Sequence, residues 1–189
     1  MSLEPKVSQE KMLAVIKKHG KLIELAKRLN NLGKIAELIF SSISEVVNED
    51  ERILLCYYQL QTSEGSPAKG ETPQFYSCEI NILTDRNYVS IGFFQTFHSV
   101  DIKSINSISQ LFIKTSFGNV YDVDSEAKVD ENNFLPSQIK ITFEFSDTKG
   151  EKVATWDIDT SAVENIQSIL PQAKAFLKYV GTPLSKIQI

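Results

Sequence analysis

Apolar residues recur at helical spacing in the first quarter of the chain. From Leu22 to Val46 they alternate in steps of three and four residues, a helical seam of about three heptads. Further apolar positions widen this seam beyond the stripe of a two-stranded coiled coil, which favours helices lying on a core or on a second subunit. The residues predicted to make this contact are Leu22, Leu25, Leu29, Leu32 and Ile39.

Polar residues and glycines divide the helical segment, residues 8–47, into shorter pieces. Ser8 can cap a first helix, and the stretch 17–20 has the basic last turn and the glycine of a helix end. Two asparagines and a glycine within 30–33 weaken helical structure, so a break is expected there. The polar stretch 48–50 should end the segment.

From Arg52 onward the hydrophobic period changes to two, which predicts β-strands. Residues 52–62 are apolar on both faces, so both of their sides should be covered. Phe93, Phe94 and Phe97 stand close together, and alternation places Phe93 in the core with Phe94 or Phe97 facing outward, which favours a core role for the group. The predicted strands are 52–62, 74–83, 89–93, 97–102, 108–114, 139–145 and 153–158.

A helix is predicted directly after the last strand. Ser161 and Glu164 have the spacing of a capping box, in which each side chain bonds the other residue's backbone N–H. Apolar residues within 162–180 make one stripe, interrupted by Pro171, which should kink or split the helix. Gly181 should end it.

This order of seven strands and one C-terminal amphipathic helix resembles the pleckstrin-homology-like (PH-like) fold, most closely its bacterial PH-like and GRAM-like domains. The resemblance implies an α+β fold in which two antiparallel sheets form a seven-stranded, partly open barrel capped by the helix. It covers residues 52–181, so residues 1–50 become an N-terminal helical extension of a domain spanning 51–189. Trp156 departs from the family pattern, because it precedes the helix instead of lying in it.

The loop at 63–73 joins the first two predicted strands, where phosphoinositide-binding members of this family carry flanking basic residues. Here the loop holds Lys69 beside Glu64 and Glu71. A phosphate headgroup requires several cations that converge on one pocket. The comparison therefore argues against a specific phosphoinositide site.

Charge is distributed unevenly along the chain. The net charge is −4, whereas residues 1–34 carry eight basic and three acidic residues, a balance of +5. A basic arm of this kind can meet anionic lipid, although lysines on the solvated face of a helix are the more common explanation. The residues predicted to contact an anionic surface are Lys17, Lys18, Lys21, Lys27 and Arg28.

Residues that could support catalysis or metal binding are few. His19 and His98 lie far apart in sequence, and His19 is expected at the C-terminal end of a helix, facing solvent. The acidic stretch 121–133 lacks the glycine and the final glutamate of a calcium loop, so neither a metal nor a cofactor is expected. Cys56 and Cys78 are expected to be buried free thiols.

These patterns together predict a non-enzymatic binding or scaffolding module that acts by protein–protein interaction or self-association. Peripheral attachment to anionic membranes through the basic helices is one alternative, and a small-ligand carrier or enzyme using the barrel mouth is another. The acidic strands lack basic–aromatic interleaving, which argues against nucleic acid. No apolar run reaches the roughly 18–20 residues of a membrane span and no secretory signal is visible, so we expect a cytoplasmic protein.

Overall fold

The computed structural model describes residues 8–63, 74–95, 97–116 and 136–188. They divide into two compact units, the first ending at Ser104 and the second running from Ile105 to Gln188. Among these residues, no helix is both long enough and apolar enough to cross a bilayer.

Three helices begin the first unit: α1 (Gln9–Ile16), α2 (Gly20–Leu29) and α3 (Lys34–Val46). Ser8 caps α1 by accepting a hydrogen bond from the backbone N–H of Lys11 at 3.3 Å, which confirms the predicted start. A 3₁₀ turn, Asn30–Leu32, separates α2 from α3. The next residue, Gly33, has a φ of 50°, a conformation that favours glycine, so the predicted break is confirmed.

The first sheet is antiparallel with the order β1-β2-β3-β4, and its strands are β1 (Ile53–Thr62), β2 (Phe75–Thr84), β3 (Asn87–Phe94) and β4 (His98–Ser104). The helices cover one face of this sheet, where Cys56, Ile80 and Ile91 belong to the same buried core as the helical leucines. From Leu54 to Tyr58 every side chain of β1 is buried, as expected of a strand covered on both faces, whereas the rest of β1 is largely exposed. The helices predicted as residues 1–50 therefore lie in one compact unit with the first four strands.

The second unit contains a sheet of order β5-β6-β7 followed by a helix, and its elements are β5 (Ser107–Ser116), β6 (Gln138–Ser146), β7 (Lys152–Thr160) and α4 (Val163–Phe176). Its core is aromatic. Phe143 stacks on Trp156 with 5.4 Å between ring centroids and meets Phe176 of α4 edge-on at 6.0 Å. Trp156 thus lies in the last strand, as the sequence predicts.

The start of α4 corrects the predicted capping box. Ala162 is the N-cap and no side chain caps the helix, because Ser161 lies one residue too early. Thr160 instead accepts a hydrogen bond on Oγ1 from the N–H of Ala162 at 3.2 Å. Pro171 lies inside α4, which continues as one helix to Phe176 instead of splitting there.

Within the described residues, an α+β fold with seven strands in two antiparallel sheets is confirmed. Every predicted strand is present, with ends that differ by one or two residues in most cases. The seven-stranded barrel depends on how the two sheets are arranged and stays a prediction.

Candidate interaction surface

The helix layer of the first unit leaves part of the apolar sheet face uncovered. Rows of paired residues run across the sheet and include Ile80–Ile91–Val100 and Val89–Ile102. The members on β2 and β3 are at most 1% exposed, whereas Val100 and Ile102 on β4 are 40% and 46% exposed. The apolar face therefore extends one strand beyond the helices that cover it.

Strand β4 is also an edge of its sheet. It pairs with β3 on one side, and the described residues supply no strand on the other. All of its side chains are exposed. The opposite face of β4 carries Asp101 and Lys103, whose charged groups are 3.3 Å apart. An edge of this kind offers unpaired backbone N–H and C=O groups to another chain.

Aromatic residues pack at the start of β4. Phe97 is 58% exposed and stacks on Phe94 with 4.4 Å between ring centroids. Phe93 is buried and stacks on His98 at 4.6 Å. Phe93 therefore belongs to the core, as predicted, and Phe97 is the aromatic residue that faces outward.

The five residues predicted as interface contacts lie in the first unit. Leu22, Leu25, Leu29 and Ile39 have no exposed surface and belong to the core between the helices and the sheet, and Leu32 packs against it, partly buried. Sequence reasoning missed the β4 surface. The alternation of Val100 and Ile102 is the same as that of buried strand residues, so it gave no sign that they would be exposed.

Lys18, one of the predicted contacts with an anionic surface, is held by the backbone of its own chain. Its Nζ donates to the carbonyl oxygens of Asn48, Glu49 and Glu51 at 2.5, 2.8 and 3.0 Å. The side chain of Glu51 is buried beside this loop, and its Oε1 accepts hydrogen bonds from the amides of Asn48 and Asn87. These contacts tie the α1–α2 junction to the connection between α3 and β1.

Two further members of the basic set also contact their own chain. Lys21 forms an ion pair of 2.8 Å with Glu24. The guanidinium of Arg28 lies 5.9 Å from the centroid of the Tyr58 ring, within the range of a cation–π contact. The two remaining members, both exposed, are Lys17 and Lys27.

His19 does not lie at the C-terminal end of a helix, so its predicted position is wrong. It is the N-cap of α2, where its Nδ1 accepts a hydrogen bond from the backbone N–H of Lys21 at 3.2 Å. Burial, and to a lesser degree the charge of Lys21, lowers the pKa of His19 below its usual value. The lowered pKa agrees with the capping role, because only the neutral ring can accept this bond.

Cys56 and Cys78 are buried free thiols, as predicted. Burial is the main cause that raises the pKa of each to about 12, so both remain protonated and unreactive at neutral pH. No three His, Cys, Asp or Glu residues of the described chain are grouped so that they could hold a metal ion. The acidic stretch 121–133 and the loop residue Lys69 lie outside the described residues.

Comparison with known proteins identifies no relative. No protein-family model, curated protein or solved structure matches the chain. The resemblance to PH-like domains therefore stays a prediction from the order of the elements. Function has to be inferred from the chain's own residues.

Proposed function

We propose that this chain is a non-enzymatic binding module that takes an extended segment of a partner polypeptide on β4. The edge of the first sheet carries the proposal, because Val100 and Ile102 expose apolar surface beside backbone groups to which the described residues supply no further strand. A strand laid along β4 would satisfy those groups and cover both side chains. For the whole chain we propose the PH-like architecture, with α4 capping a partly open barrel, a fold that also serves as a protein-binding scaffold.

The affinity expected of this edge is moderate. Complete burial of a valine or isoleucine is worth about 1.5–3 kcal/mol, but Val100 and Ile102 are already more than half covered. Roughly 1 kcal/mol each remains to be gained, and association costs several kcal/mol in lost freedom. Backbone pairing along the strand must supply the rest, which favours a transient contact.

Attachment to anionic membranes has less support. It would use the basic helices, yet Lys18, Lys21 and Arg28 already contact groups of their own chain. Each basic residue near an anionic surface contributes about 1 kcal/mol. Lys17 and Lys27 alone would therefore hold the chain only weakly.

Selection of peptides from a displayed random library, with the full chain as bait, tests the proposal. We expect selected peptides to bind in an extended form, with at least tenfold lower affinity for Ile102→Lys measured by fluorescence anisotropy. Leu13→Lys is the matched control, because Leu13 is 55% exposed on α1 and far in sequence from β4. Circular dichroism would establish that both variants fold. Recovery of no binder, or of binders insensitive to Ile102→Lys, would contradict strand addition at β4.

A further inference from the structure

We infer that the strand that adds to β4 is β4 of a second copy of this chain, paired antiparallel about a two-fold axis at Ile102. The inference rests on the proposed function, since it uses the same open edge. It adds the identity of the partner and the register of the pairing.

Side-chain direction limits the possible registers. Opposite residues of an antiparallel pair project to the same face, and successive residues project to opposite faces. An axis between two residues would therefore bring the row of Val100 and Ile102 opposite the charged row of the other copy. Only an axis that passes through a residue places the apolar rows of the two copies opposite each other. Within residues 100–102, such an axis can pass through Val100, Asp101 or Ile102.

Charge distinguishes these three registers. With the axis at Ile102, Asp101 of each copy lies opposite Lys103 of the other, which gives two pairs of opposite charge. With the axis at Asp101, two carboxylates lie opposite each other, and such like-charge pairs are destabilising. With the axis at Val100, neither Asp101 nor Lys103 lies opposite a residue of opposite charge. The edge is thus self-complementary in the first register.

The positions of the side chains suit this pairing. Asp101 and Lys103 already form an ion pair along the strand, with 61% and 47% of their side chains exposed. Opposite residues of an antiparallel pair are closer, about 4.5–5.5 Å between Cβ atoms, than residues two apart on one strand, at roughly 6.8 Å. Each side chain can therefore exchange its partner on the same strand for one on the second copy. On the other face, Ile102 would lie against Ile102 of the second copy, with both Val100 side chains on the diagonals.

Disulfide trapping of the full chain tests the register directly. In Ile102→Cys the two introduced thiols would lie opposite each other, and mild oxidation should link them. In Val100→Cys they would be offset by four residues, roughly 13 Å, which exceeds the reach of a disulfide. We expect the dimer band on a non-reducing gel to form at least tenfold faster for Ile102→Cys. Disulfide links formed by the native thiols should be few, because Cys56 and Cys78 are both buried.

Charge exchange supplies an independent test in the Ile102→Cys background. Asp101→Lys alone, or Lys103→Asp alone, places like charges opposite each other in both pairs, so each should link several-fold more slowly. A mixture of these two variants restores both opposite-charge pairs and should yield mainly the mixed dimer. High salt should reduce this preference, since exposed charges are screened.

The collision control is Leu13→Cys, whose side chain is similarly exposed on α1. Equal rates for the three cysteine variants, or faster linking of Val100→Cys, would overturn the inferred dimer. If the mixture of charge variants did not yield mainly the mixed dimer, the register with its axis at Ile102 would be overturned. If selected peptides still required Ile102, the proposed binding function would stand without self-pairing, so the two failures are distinguishable.

Discussion

Lys18 donates a hydrogen bond from Nζ to the backbone carbonyl oxygen of Glu51, 33 residues later in the chain, at 3.0 Å. The same ammonium reaches the carbonyls of Asn48 and Glu49. These bonds join the α1–α2 junction to the connection between α3 and β1, where the helices are followed by the first sheet. Lys18, which the sequence analysis chose for its charge, therefore holds these two connections together. Its three hydrogen bonds form the Lys18 clamp.

Replacing Lys18 with methionine should remove this clamp while retaining an unbranched side chain. A hydrogen bond from a charged group contributes about 1.5–3 kcal/mol, and three carbonyls would lose their donor while water could still reach some of them. We expect the free energy of unfolding to fall by about 1–3 kcal/mol in urea denaturation. Lys17→Met is the matched control, since its exposed side chain should change stability by less than about 0.5 kcal/mol. Equal losses in both variants would contradict the clamp.

The capping role of His19 predicts a specific pH dependence. Its pKa in the folded chain lies below the ordinary value of 6.5, so the unfolded chain binds the proton first as the pH falls. Stability from the cap is therefore complete above pH 6.5 and decreases as the pH falls through the lowered pKa. His19→Asn retains an N-cap acceptor that does not titrate in this range.

Urea denaturation of the wild type and His19→Asn from pH 7.5 to pH 5 would measure this effect. The wild type should lose free energy of unfolding relative to the variant as the pH falls. All other residues are the same in both proteins, so their contributions cancel in the difference. A difference that does not change with pH would exclude a neutral His19 cap.

Local patterns were sufficient to predict most elements of this fold. Alternation in strands and the glycine at 33 act over a few residues, so the sequence predicts the seven strands that the described residues form and the break between α2 and α3. The predictions that were wrong concern residues whose role depends on the element that follows them. His19 follows one helix closely enough to suggest its end, yet Gly20 already begins the next helix, and the histidine therefore caps that one.

The candidate surface could not be predicted in the same way. Ile80 and Val100 have the same apolar alternation, and they even belong to one row across the sheet. What distinguishes them is the extent of the helix layer, which covers three strands and leaves the fourth exposed. That boundary depends on packing between distant segments, and no local pattern encodes it.

Gly92 lies in β3 opposite Ser99 of β4, where the space for a side chain is already occupied. A Cβ atom on Gly92 would lie 2.7 Å from Cε2 of Phe94 and 2.9 Å from Oγ of Ser99. Gly92→Ala should therefore displace the Phe94 ring from its stack on Phe97 and destabilise the protein by about 1–3 kcal/mol.

A double-mutant cycle with Phe94→Ala would identify the cause of this loss. Removing the ring relieves the main contact, so Gly92→Ala should cost at least about 0.5 kcal/mol less in that background. Urea denaturation of the four proteins measures the coupling. Additive losses would mean that Phe94 is not the group that excludes a side chain at Gly92.

Pro171 interrupts the backbone hydrogen bonding of α4. It has no N–H to donate to the carbonyl of Gln167, and a proline in a helix interior typically costs about 3 kcal/mol. Its side chain is exposed, so Pro171→Ala should leave the core intact and restore the missing bond. Because proline also restricts the unfolded chain, we expect a net gain of only about 1–2 kcal/mol, measured as a higher Tm. Lys174→Ala, exposed on the same helix, should change stability by less than about 0.5 kcal/mol. A lower Tm for Pro171→Ala would mean that the proline stabilises the packing of α4 against the aromatic core around Phe143.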